Sequence, residues 1–61
     1  MTISELIDKA GGAMPVAQKL GYTINAVLAW KYGSRTPQKT GLVRERLCKM
    51  ASVSVDQVEW T

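Results

Sequence analysis

Apolar residues recur three and four apart along most of the chain and nowhere alternate with a period of two, so the pattern predicts helices and no strand. Ile3, Leu6, Ile7 and Ala10 mark a first helix of about residues 3–10, stopped by the glycines at 11 and 12. The opening "TISE" has the form of a capping box, with Thr2 accepting from the backbone of Glu5 and Glu5 reaching back to Thr2. Val16, Ala17 and Leu20 form the inward stripe of a second helix, about 13–20. Pro15 is tolerated there because a first-turn residue has no intrahelical N–H bond to lose. Gly21 ends that helix and supplies the left-handed backbone a sharp reversal requires. Thr23 caps a third helix, about 24–32, with Val27 and Trp30 on one face and Gly33 as terminator. Asn25, Leu28 and Lys31 fall on the other side, flanked by Ile24 and Ala29.

The loop "GSRTP" leads to a fourth helix, entered either at Thr36–Pro37 or beyond Thr40 and Gly41. From Val43 its stripe is plain: Val43, Leu47, Met50 and Ala51. Ser54, with Gln57 in the box position and Val53 stapled to Val58, starts a short fifth helix of about 55–60. The expected fold class is all-α, a compact five-helix bundle formed as one domain over residues 1–61.

A chain this short buries only roughly 60 % of the surface it exposes when unfolded, so a partner copy is one way to complete the burial. At 46 % apolar and 21 % charged residues the composition is that of a globular domain rather than a disordered one. No apolar run approaches a membrane span, and the N-terminus lacks the basic start and apolar stretch of a secretory signal. The expected setting is therefore the cytoplasm, with no membrane partner.

Candidate chemistry is sparse. There is no histidine, which removes the commonest general base and the commonest metal ligand together. Cys48 is alone and can form neither an internal disulfide nor a thiolate cage. Glu5, Asp8, Glu45, Asp56 and Glu59 are scattered and suit caps or solvated faces better than an acid–base pair. The expectation is no enzyme activity, no metal, no cofactor and no small-molecule ligand.

Charge changes the picture by its distribution rather than its sum. Residues 31–49 hold Lys31, Arg35, Lys39, Arg44, Arg46 and Lys49 against Glu45 alone, a net +5. Residues 1–30 are neutral and residues 50–61 carry −2 through Asp56 and Glu59. A positive middle is the electrostatic footprint of a polyanion binder, although a solvated lysine-rich face has the same composition.

Two short helices joined by a glycine turn, the second amphipathic, form a helix-turn-helix when they cross near perpendicular. Ala17 lies at the crossing, where a small side chain permits close approach, and Val16, Leu20, Val27 and Trp30 lock the pair to a common core. Small bundles use similar hairpins for packing alone.

The stretch "VAQKLGYTINAVLAWKYGSRTP" resembles the helix-turn-helix of the Cro and lambda-type phage repressor superfamily. In that family an alanine and a leucine-glycine pair precede the recognition helix, a bulky apolar residue closes it, and a "G-x-R-x-P" type loop follows. The tail "LCKMASVSVDQV" is similar to the family's junction between its last two helices, so the resemblance covers about residues 13 to 60. It departs from the pattern in a slightly longer stretch between Pro37 and Val53. Ala13 and Met14 also stand where a phosphate-clamping polar residue is usual.

The resemblance implies a lambda repressor-like DNA-binding domain. The implied protein is a small Cro-like repressor, of phage or mobile-element type, that binds a near-palindromic operator on double-stranded DNA as a homodimer. In such domains the recognition helix enters the major groove, its N-terminal residues nearest the bases. Thr23, Ile24, Asn25, Leu28 and Ala29 become the base-contact candidates. Asn25 can bond an adenine edge at both its donor and its acceptor, while Ile24, Leu28 and Ala29 suit thymine methyls. Lys31, Tyr32, Ser34, Arg35, Gln38 and Lys39 become the phosphate candidates, with Thr36 and Lys19 as lesser ones.

Alternatives stay open at this level. Asn25 also suits a solvated helix start, and Trp30 suits the core better than a stacking platform. Arg44 and Arg46 are as compatible with solvent or a salt bridge as with DNA. The apolar Ile24–Leu28 surface also fits a protein-interaction module of antitoxin-like or anti-regulator type. The expected dimer seam is helix five, through Val53, Val55, Val58 and Trp60, unless Trp60 simply covers the core of its own chain.

Overall fold

Side-chain caps at two threonines and left-handed glycines at two helix ends set most of the architecture. The computed structural model describes residues 1–37 and 42–60 and contains α1 (Ile3–Lys9), α2 (Ala13–Leu20), α3 (Ile24–Tyr32) and α4 (Val43–Ala51). At α1 the capping box is closed: Thr2 Oγ1 accepts from Glu5 N at 3.2 Å, and Thr2 N donates to Glu5 Oε1 at 3.1 Å. Those donors hold the Glu5 carboxyl below its ordinary pKa. At α3 the Thr23 Oγ1 accepts from Ala26 N at 3.2 Å.

Between α2 and α3 the chain reverses through Gly21, whose φ of 77° lies in the left-handed region. Both Gly21 N and Tyr22 N donate to the Ala17 carbonyl, at 2.9 and 3.0 Å. A side chain at residue 21 would meet no neighbour, so glycine is required by its backbone angle and not by crowding.

The four helices converge on Leu6, Ile7, Val16, Val27 and Leu47, all fully buried, with Ala17, Trp30, Cys48, Ala51 and Val58 completing the core. Ala17 sits at the α2–α3 contact, as the spacing of the sequence expects. Trp30 is core, and Tyr22 packs edge-on against it with ring centroids 5.1 Å apart. Burial pushes the Cys48 thiol up in pKa, away from reactive thiolate. No helix of the described residues is long and apolar enough to cross a membrane.

Two expectations need correction. The bundle has four α-helices and not five: the fifth segment makes only a 3₁₀ turn, Val55–Gln57. Ser54 N does donate to Gln57 Oε1 at 2.9 Å, so the box marks a helix start, but the helix stops after three residues. At Val58 the backbone is extended (φ −108°, ψ 135°), and Glu59 N donates to the Met1 carbonyl at 2.8 Å. Thr2 and Glu59 form an isolated parallel bridge. The cause is β-branched Val53, Val55 and Val58, poor helix formers, in a segment too short to propagate. An extended chain instead delivers Val58 to the core.

The second correction concerns α4. It starts at Val43, after Leu42 and without a side-chain cap, rather than at Thr36–Pro37. Pro37 is instead fully buried, and its carbonyl accepts from Arg44 Nε at 3.2 Å. Gln38, Lys39, Thr40 and Gly41 lie outside the described residues.

Candidate nucleic-acid interface

α3 is apolar around much of its circumference, so burial, not polarity, defines its two sides. Val27 and Trp30 are buried, and at 3.6 residues per turn the opposite side carries Asn25, Leu28, Ala29 and Tyr32. Asn25 is exposed, Tyr32 is 74 % exposed, and Leu28 and Ala29 are half-buried. Ile24, 41 % exposed, stands at the edge of this stripe. Thr23 is exposed, but its hydroxyl oxygen is held by the cap, which leaves its O–H as a donor.

Lys31 does not share that side. It falls one turn beyond Val27, on the flank facing α1, and its ammonium donates to Asp8 Oδ1 at 2.8 Å. The hydrogen bond and charge of Asp8 hold the Lys31 pKa above its ordinary value. A pair 23 residues apart across two helices leaves no local signal in the sequence.

The loop after α3 folds back on it, with Arg35 N donating to the Ala29 carbonyl at 3.1 Å. Ser34, Arg35 and Thr36 are exposed there. Arg35, Thr36 and Tyr32 border an open cleft shared with Thr2 and Ser4 at the start of α1. Of the phosphate candidates, Tyr32, Ser34 and Arg35 are thus exposed at one end of α3, Lys31 is paired, and Gln38 and Lys39 lie outside the described residues.

Arg44, left open by the sequence, is occupied within the fold. Besides the bond to Pro37, its guanidinium lies 4.8 Å from the centre of the Trp60 ring, and Trp60 Nε1 donates to the Val55 carbonyl at 3.2 Å. Sequence reasoning missed this clasp, because its three members sit in segments with no shared period. Val58 is buried in its own chain, whereas Val53, Val55 and Trp60 pack on the core and keep part of their surface exposed. No group of metal-ligating side chains is found among the described residues.

No family model and no solved structure matches the chain. Among curated proteins, an uncharacterized HTH-type transcriptional regulator of Haemophilus influenzae is 33 % identical over 58 residues. That match spans 95 % of this chain but only 22 % of the relative's length. The Gly21 reversal between two packed helices, an exposed second-helix face and this alignment agree. The chain is a helix-turn-helix domain.

Proposed function

We propose that this domain binds double-stranded DNA sequence-specifically as part of transcriptional regulation, in the manner of a small Cro-like repressor. The observation that carries the reading is the division of α3: Val27 and Trp30 anchor it from behind while Asn25 projects outward beside Leu28 and Ala29. Asn25 bonds an adenine edge, and Ile24, Leu28 and Ala29 pack on thymine methyls. Arg35 and Ser34, at the far end of the same helix, meet the phosphates and set the register. The relative's description as a transcriptional regulator supports the same class.

The domain acts as a homodimer on a near-palindromic site, its two recognition helices about 34–36 Å apart. Val53, Val55 and Trp60 remain the tail side chains through which two copies meet. The test is a gel shift at moderate salt against the DNA upstream of the protein's own gene. A retarded band that outlasts excess unrelated duplex is the expected result; retardation abolished equally by any duplex contradicts sequence specificity.

One observation favours a second reading, a protein-interaction module. Ile24 and Met14, 41 % and 56 % exposed, give the helix-turn-helix more bare apolar surface than hydrogen-bonding groups. A partner protein that binds this surface and is displaced by Ile24→Asp, with no DNA retarded in the same gel, decides for it.

A further inference from the structure

Most charges of this chain are accounted for inside the fold or at the α3 end, and those left over are complementary. Glu5 closes a cap, Asp8 holds Lys31, and Arg44 clasps Pro37 and Trp60. Lys19, Arg46 and Lys49 have no ion-pair or side-chain hydrogen-bond partner among the described residues, and all three are exposed. They rim a groove between the C-terminal ends of α2 and α4 whose floor is the half-buried Leu20 and Met50. The groove continues past Leu20 and Arg46 toward Tyr22 and Leu42, the latter 56 % exposed. It shares no residue with the cleft beside Arg35.

Asp56 and Glu59 are the matching surplus. Both are exposed and unpaired among the described residues, and they flank Val55 and Trp60 on the tail. Within one chain the two sets form no ion pair, since the tail runs along Thr2 while the groove opens between α2 and α4.

We infer that the groove of Lys19, Leu20, Arg46, Lys49 and Met50 receives the acidic tail of a second copy, reciprocally, so that each copy's Asp56–Glu59 tail lies in the other's groove. This rests on the homodimer part of the reading above and not on DNA recognition. The apolar floor argues for protein over nucleic acid, because phosphates cannot cover Leu20 and Met50 favourably. Reciprocity follows from closure: a one-way contact between identical copies grows into rings or filaments, whereas the two-fold form stops at two. Each exposed ion pair is individually weak, so the contact needs both copies of the groove and is sensitive to salt.

The test is analytical ultracentrifugation of the intact chain without DNA, on two variants with reversed charge. Lys19→Glu/Lys49→Glu makes the groove acidic; Asp56→Lys/Glu59→Lys makes the tail basic. All four positions are exposed, and far-UV circular dichroism at the same concentration verifies the helices. The wild type is expected to dimerise, more weakly as salt rises, and each variant alone to associate at least ten-fold more weakly. Their equimolar mixture recovers the dimer, because both contacts are then complementary again.

A wild type that stays monomeric overturns the inference, as does a mixture no more associated than its parts. So does loss of DNA retardation in the groove variant with its dimerisation intact, which assigns the groove to phosphates. Dimerisation without any DNA retardation leaves this contact standing and overturns only the proposed function.

Discussion

Lys31 on α3 and Asp8 on α1 meet at 2.8 Å, so a lysine beside the recognition stripe spends its charge within the fold. The pair fixes the azimuth of α3 on the bundle and turns Lys31 away from the Asn25 side. Replacing Asp8 with Asn keeps the shape and releases the ammonium. Asp8→Asn is expected to tighten DNA binding at low salt and to steepen the salt dependence by about one counterion. Affinity measured from low to moderate salt checks it; an unchanged slope means that Lys31 stays clear of phosphate.

The same pair has a pH signature. The folded Lys31 pKa is raised by Asp8, so its stabilisation is fully present below the ordinary value of 10.5 and is lost as pH climbs through the folded one. The difference in melting temperature between wild type and Asp8→Asn therefore closes as pH rises from about 9 to 12. A difference that persists at the alkaline end contradicts the assignment.

Arg44 holds the buried Pro37 loop and the Trp60 tail together, so its removal is a stability event and not a binding one. One hydrogen bond and one cation–π contact together make Arg44→Ala cost about 1–2 kcal/mol. Chemical denaturation measures the loss. The salt slope of DNA binding stays at its wild-type value, and a slope lowered by about 1 shows instead that Arg44 touches phosphate.

Gly21 and Ser52 pose the same backbone problem with opposite answers. Both occupy left-handed conformations at helix ends, φ 77° and 58°, and only one of them is glycine. Gly21→Ala is expected to destabilise by about 1–2 kcal/mol. Ser52→Gly, relieving the same strain at the end of α4, stabilises by up to about 1 kcal/mol, reduced by the entropy of a more flexible unfolded chain. Thermal melts of the two variants should move in opposite directions.

Within the proposed interface, Asn25 and Arg35 separate base reading from backbone attachment. Asn25→Ala costs about 1–3 kcal/mol at a single base position and little elsewhere in the site. Arg35→Ala weakens every sequence alike and lowers the salt slope by about 1. Binding to a panel of singly substituted sites distinguishes the patterns; equal, uniform losses in both variants remove the special role of Asn25.

The limits of α2 and α3 were legible because local chemistry fixes them: a threonine oxygen at residue 23, and chain reversals at Gly21 and Gly33. The exposed side of α3 was legible for Asn25 and Leu28, since one helical period opposes them to Val27 and Trp30. Lys31 was misplaced by the same reading, because a residue on the flank is drawn to whichever helix offers a carboxylate, and Asp8 lies far away in sequence. The fifth segment failed for a different reason. A capping box at Ser54–Gln57 reports how a helix begins and says nothing of how long it runs, and tertiary demand for Val58 in the core ended it. Pro37 was equally hidden: its burial depends on Arg44 and the α4 face, which no local pattern connects to it.

The most direct test of the account is chemical-shift mapping of the isotopically labelled chain against a duplex selected from random DNA by binding. The account predicts that the largest changes fall on Ile24, Asn25, Leu28 and Ala29, with a second group at Ser34 and Arg35. Changes confined to other surfaces, with that stripe of α3 unmoved at saturation, contradict it.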